Sequence, residues 1–102
     1  MKHLSIDIET YSSVDITKSG LYKYVQSPDF EVLLFAYSLD YEQVSIVDLA
    51  QGEKIPCDVK KALFDPDIIK HAYNAGFEWY CLSKYFGLTD KERDAWLREW
   101  QC

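Results

Sequence analysis

The chain has 102 residues, 48% of them hydrophobic and 16% aromatic, which argues against a disordered segment and allows one buried core without disulfide or metal staples. Its formal net charge of −6 argues against a plain DNA-binding module, which grips phosphates with a basic stripe. It argues less against a nuclease whose carboxylates hold divalent cations.

No apolar run approaches the length of a membrane span, and Met1-Lys2-His3 leads directly into a strand pattern without a signal peptide. A single domain over residues 1–102, cytoplasmic and without a membrane partner, is the expectation. Cys57, Cys81 and Cys102 are odd in number and lack a C-x-x-C spacing, so they read as reduced thiols and give no support to a zinc site.

Residues 3–9 alternate, with Leu4, Ile6 and Ile8 facing one way and Ser5, Asp7 and Glu9 the other. Residues 11–20 are rich in turn formers and read as a loop, with Asp15 or Thr17 capping a short helix over 18–26. Ser27-Pro28-Asp29 breaks that helix. The apolar run over 32–37 predicts a buried central strand, and residues 43–49 its hairpin neighbour across the Asp40-Tyr41-Glu42 turn.

A short helix is expected over 58–64, then a buried strand over 68–74 and a helix over about 77–86 that Gly87 terminates. Thr89-Asp90-Lys91-Glu92 has capping-box spacing and predicts a last helix carrying Trp96 and Trp100 at i,i+4. His3 and His71 fall on strand patterns and read as hydrogen-bonded structural residues. Tyr22 and Tyr24 suit either core packing or base stacking. The alternation of strands and helices makes a mixed α/β layer the economical architecture.

Two acids at i and i+2 of a strand project to one side with Cβ atoms roughly 6–7 Å apart. That spacing suits a shared divalent ion, since hard cations take oxygen ligands at roughly 2.0–2.6 Å. It equally describes an ordinary half-exposed strand. A second segment, "HAYNAGFEWYCL" (71–82), places Asn74, Phe77 and Glu78 where a buried strand turns into a helix. There an acid also complements the helix dipole, and an Asn also serves as a turn or cap residue.

In this order, "DIET" on the first strand and "NAGFE" at the later strand-to-helix turn, the chain resembles the first two motifs of the DEDD-type 3′–5′ exonucleases, which have a ribonuclease-H-like fold. The longer text "DIETYSSVDITKSGLYKYVQSPDFEVLLFAYSLD" is similar to the proofreading exonuclease region of phage and bacterial family A DNA polymerases. The resemblance implies a ribonuclease-H-like mixed sheet flanked by helices, and hydrolysis at the 3′ end of single-stranded DNA with two Mg²⁺ or Mn²⁺ ions roughly 3.5–4 Å apart. Asp7, Glu9 and Glu78 would be the catalytic metal ligands, although many members carry Asp where Glu78 stands. Thr10, Tyr11, Asn74 and Phe77 would meet the substrate strand or support the turn.

The family pattern also calls for a third motif, a further acid with a nearby Tyr or His, on a helix well downstream. "FGLTD" (86–90) offers Asp90 four residues after an aromatic, but at a helix break and too close in sequence to return to the first strand. Only 24 residues follow Glu78, and "LREWQC" reads as the lead-in to more domain. The expectation is an exonuclease domain incomplete at its C-terminal side, weak or inactive alone. An alternative is a non-catalytic module whose exposed Trp96/Trp100 helix forms a homodimer or binds a partner.

Overall fold

The computed structural model describes residues 2–101; Cys102, expected to be a reduced thiol, lies outside the described residues. Strand β1 (His3–Tyr11) is the centre of a five-stranded sheet of order β3-β2-β1-β4-β5. Leu4, Ile6 and Ile8 are buried on one face, while Asp7 and Glu9 are exposed on the other, as the two-residue period of a strand requires. Strands β2 (Glu31–Leu39) and β3 (Ser45–Asp48) extend the sheet antiparallel on one side. Strands β4 (Ile69–His71) and β5 (Trp100–Gln101) extend it in parallel on the other. The sheet is mixed and the architecture α/β, in line with the alternation of elements in the sequence.

Four helices accompany the sheet among the described residues: α1 (Ile16–Gln26), α2 (Cys57–Leu63), α3 (Ala75–Tyr85) and α4 (Asp90–Trp96). Their buried residues join those of β1 and β2 in one core, with Val25, Leu63, Cys81 and Leu82 beside Leu4 and Phe35. Helix α3 packs against β1, β2 and β5 and is flanked by α1 and α4. The helices cover the face of the sheet that carries Leu4, Ile6 and Ile8, in line with the expectation that helices cover the apolar face of β1. On the open face Val44 and Ile46 remain 61% and 64% exposed. The apolar run of β2 is consequently only half covered: Val32 and Phe35 are buried, whereas Leu34 and Ala36, the partners of Glu9 and Asp7, are intermediate.

Helix α1 begins earlier than its sequence suggests. Asp15 occupies the N-cap and accepts the Thr17 amide at 2.9 Å, satisfying one of the orphan donors of the first turn. Gly20 then interrupts it at φ 84°, ψ 168°, a conformation that a residue without Cβ adopts at little cost. Strand β4 stops at His71, not at residue 74, and the chain turns through residues 72–74 into α3.

The C-terminal end differs most from expectation. The capping box forms: Thr89 Oγ1 accepts the Glu92 amide at 3.2 Å and Glu92 Oε1 accepts the Thr89 amide at 2.9 Å. The helix nevertheless ends at Trp96; after a 3₁₀ turn over Leu97–Glu99, Trp100 starts β5, opposite Lys70 of β4. Trp96 and Trp100 meet edge to face at 5.1 Å and are only 4% and 7% exposed.

There is thus no helical i,i+4 tryptophan pair and no exposed tryptophan stripe for a homodimer or partner. Pairing with β4 requires extended chain at Trp100, and both rings gain more by entering the core. Trp96 also stacks on Phe64 at 5.0 Å and donates from Nε1 to the Leu63 carbonyl at 2.8 Å. Beside them Lys70 is fully buried, ion-paired with Glu99 and donating to the Asp65 carbonyl at 2.7 Å. Its burial lowers the Lys70 pKa, against the pull of Glu99.

No helix among the described residues is long and apolar enough to cross a membrane. Because Trp96 ties α4 to the end of α2, Trp96→Ala should cost about 3–5 kcal/mol in equilibrium urea unfolding. Trp96→Phe, which keeps the stacking on Phe64, should cost clearly less; equal losses would show that the packing of Trp96 is not what holds α4.

Candidate functional site

The register of the central strands sets where the acids meet. Strand β4 pairs with β1 only through His3↔Ile69, Leu4↔Lys70 and Ser5↔His71. Beyond Ser5, β1 has no β4 partner, and the chain has already turned at Asn74 into α3. The first turn of α3 therefore lies alongside the stretch of β1 that carries Asp7. Ala75, Glu78, Cys81 and Leu82 form the buried side of α3, so Glu78 is directed inward at 4% exposure.

Asp7 and Glu78, 71 positions apart in sequence, are near enough for the charge of Asp7 to act on Glu78. Burial first and the Asp7 charge second push the Glu78 carboxyl up from 4.5 to about 7, and a backbone hydrogen bond from Asn74 draws it partly back. Burial, with the Glu78 charge second, likewise pushes the Cys81 thiol up to about 12. That thiol is inert and serves as packing. The ion pairs among the described residues, Lys70–Glu99 and Arg93 with Asp90 and Asp94, reach neither Asp7 nor Glu78.

The other residues singled out in the sequence divide into two groups. Thr10 and Phe77 are drawn together by Tyr24: the Tyr24 hydroxyl is 2.8 Å from Thr10 Oγ1, and its ring lies 6.5 Å from that of Phe77 and 5.9 Å from that of Phe30. Tyr24 thus packs as core and braces the end of β1 against the first turn of α3. Tyr11 and Asn74 remain exposed. Asn74 holds the N-cap position of α3 without using its side chain as a cap; its carbonyl accepts the amides of Phe77 and Glu78 at 3.0 and 3.2 Å.

Glu9 shares the exposed face with Asp7, one pleat further on. The pairing of β1 with β2 then shifts register between Glu9 and Thr10, a bulge that re-aims the side chains beyond it. Asp90 stands elsewhere, at the start of α4, with Oδ1 3.1 Å from Arg93 Nη1. Sequence reasoning missed Tyr73, which is fully exposed in the turn just before Asn74. An aromatic at the penultimate position of the strand pattern over 68–74 gave no sign that it would face solvent.

No group of three or more His, Cys, Asp or Glu among the described residues converges to hold a metal ion. What converges is a pair, Asp7 and Glu78. Its chemistry fits Mg²⁺ or Mn²⁺, since such ions bind through one or two carboxylates and keep waters and substrate phosphates as further ligands. A buried carboxylate that feels the charge of a second one also supplies the negative potential that such an ion neutralises.

No protein-family model matches the sequence, and no solved structure matches it. The chain is 57% identical over 88 residues to a DNA polymerase of Bacillus phage SP02. The similarity covers 86% of this chain and 14% of the polymerase, so the chain corresponds to a small part of that relative's length.

The folded state holds the Glu78 proton up to about pH 7, whereas an unfolded chain releases it near 4.5. The native state binds the extra proton between these values, so the contribution of Glu78 to stability falls as pH rises through that window. Without divalent ions, Glu78→Gln should gain stability relative to the parent chain between about pH 4.5 and pH 8, by up to about 3 kcal/mol. Denaturant unfolding at the two pH values measures this, and a difference independent of pH would show that Glu78 is not held in a protonated, charge-repelled setting.

Proposed function

We propose that this chain forms the metal-binding part of a 3′–5′ exonuclease domain of the ribonuclease-H-like kind, belonging to a phage-type DNA polymerase and acting on the 3′ end of single-stranded DNA. The observation that carries the reading is the nearness of exposed Asp7 to buried Glu78, close enough for the Asp7 charge to push the Glu78 carboxyl up, where the early end of β4 leaves room for the first turn of α3. The mixed sheet with β1 at its centre supports it, as does the likeness to a phage DNA polymerase.

Asp7 and Glu78 would hold Mg²⁺ or Mn²⁺, with Glu9 reaching the same cluster once substrate phosphate adds its oxygens. Bound ions supply the charge that lowers the pKa of an attacking water and stabilises the leaving 3′ oxygen. The rest falls to the chain itself. Tyr24, through Thr10 and Phe77, keeps the β1 acids at a constant distance from α3, which matters because small displacements at a reacting centre cost large factors in rate. Exposed Tyr11 and Asn74 are the groups free to touch the terminal nucleotide. With a net charge of −6, attraction for the DNA phosphates at this centre comes from the bound cations.

The third acid of the motif pattern is not among the residues that meet Asp7 and Glu78, so these 102 residues alone are expected to bind the ions but to hydrolyse DNA weakly or not at all. Mn²⁺ binding followed by water-proton relaxation tests the site without relying on activity. Asp7→Asn and Glu78→Gln should each weaken binding by about tenfold or more. Equal Mn²⁺ affinity in all three proteins would remove the site. On 3′-labelled single-stranded DNA, any Mg²⁺-dependent digestion should disappear in Asp7→Ala, and digestion that persists would reject the assignment.

A further inference from the structure

At the opposite end of β1 from the acids, three rings from three separate segments converge on the open face of the sheet. His3 begins β1, His71 ends β4 and Tyr41 lies in the turn between β2 and β3. Their ring centroids are 5.0 Å (His3–His71), 5.2 Å (His3–Tyr41) and 5.9 Å (Tyr41–His71) apart. His3 Nδ1 is 2.8 Å from His71 Nε2, and the Tyr41 hydroxyl is 3.4 Å from the same His71 nitrogen.

The turn that delivers Tyr41 is strained. Asp40 and Tyr41 both have positive φ, 50° and 63°, a region that side chains other than those of Gly, Asn and Asp rarely adopt. Asp40 Oδ1 clamps the turn onto the start of β1 by accepting the amides of Lys2 at 2.7 Å and His3 at 2.9 Å. Strain of this kind persists where the surroundings enforce it, and it gathers at ligand clamps.

We propose that His3 Nδ1, His71 Nε2 and the Tyr41 oxygen form a site for a divalent transition ion of the zinc type, with solvent in the remaining position. Two imidazole nitrogens and a phenol oxygen select such an ion over Mg²⁺ or Ca²⁺, which prefer carboxylate and carbonyl oxygens. Without metal, two ring nitrogens this close share one proton. The ion takes the place of that proton, which moves to the outer nitrogen of the same ring, and the phenol proton of Tyr41 passes to solvent. The ion needs the nitrogens about 3.3 Å apart for bonds of 2.0–2.1 Å at a tetrahedral centre, which a small ring rotation provides. Tyr41 is 66% exposed, so the site opens to solvent. His3 precedes Asp7 by four residues, about 13 Å along a strand, so the two sites are independent.

Titration of the chain with Co²⁺, read by its d–d absorption and by displacement with Zn²⁺, tests the site. The expected result is a tetrahedral-type spectrum that Zn²⁺ abolishes, an affinity reduced more than about tenfold in His71→Gln, and a changed spectrum in Tyr41→Phe. Asp7→Asn should leave all three unaltered, which separates this site from the carboxylate pair. Binding that survives His71→Gln would assign the ion to His3 with nearby backbone groups and overturn the proposal. Absence of a tetrahedral spectrum in the parent chain would overturn it as well. Imidazole NMR signals of the unmutated protein give a readout independent of variant folding: Zn²⁺ should shift the ring protons of both histidines together, and a shift of one alone would reject the paired site.

Discussion

Everything at the candidate site depends on how little of β1 is paired with β4. Three residue pairs hold the two strands in parallel, ending at Ser5 and His71. Had the pairing continued along β1, the flank of β1 beside Asp7 would be occupied by another strand's backbone. Because it stops, the chain turns at Asn74, and the space beside Asp7 is taken by the first turn of a helix. A helix can direct one side chain inward where a neighbouring strand would present main chain, and the side chain directed inward here is Glu78. Brevity of a strand, usually read as a weakness, is what gives the two acids access to each other.

The arrangement carries an electrostatic cost that the rest of the core does not share. The other buried charge in the described residues, Lys70, has Glu99 and a carbonyl as partners. Glu78 instead has a second carboxylate nearby, and its pKa rises to about 7. A hydrophobic side chain at 78 would suit the inward face of α3 better, judged by stability alone. Under the function proposed above, a bound cation would offset that cost, which an ordinary surface acid on a strand does not incur.

Local patterns in the sequence were legible where the physics is local. The alternation of β1, the Asp15 cap and the Thr89/Glu92 capping box depend on residues within a turn or a pleat of one another, and each appears in the structure. Trp100 was misread because helical spacing from Trp96 is a local signal, while its pairing with β4 and contact with the Trp96 ring depend on a strand some 30 residues earlier. Tyr24 could not be assigned for the same reason: whether it stacks on a base or packs as core depends on Thr10 and Phe77, which only the tertiary fold brings to it. Asp7 and Glu78 were legible as a pair through the resemblance of two motifs. Periodicity alone would have left them as a solvated strand acid and a favourable helix-terminal charge.

The brace formed by Tyr24 joins the two acid-bearing segments through the residues next to their acids. Thr10 follows Glu9 directly, and Phe77 directly precedes Glu78, so each acid-bearing segment has its own handle on the same tyrosine. Thr10 follows Glu9 onto the opposite, covered face, as the two-residue period of the strand requires, and there its hydroxyl meets Tyr24 of α1. Gly20 breaks α1 about one turn before Tyr24, and α1 packs against α3. Distance between the acids is therefore held by an uncharged contact on the covered side of the sheet. The carboxylates repel each other, so a brace made of a hydroxyl pair and tilted or edge-on ring contacts does what no direct interaction between them can do in the absence of a cation.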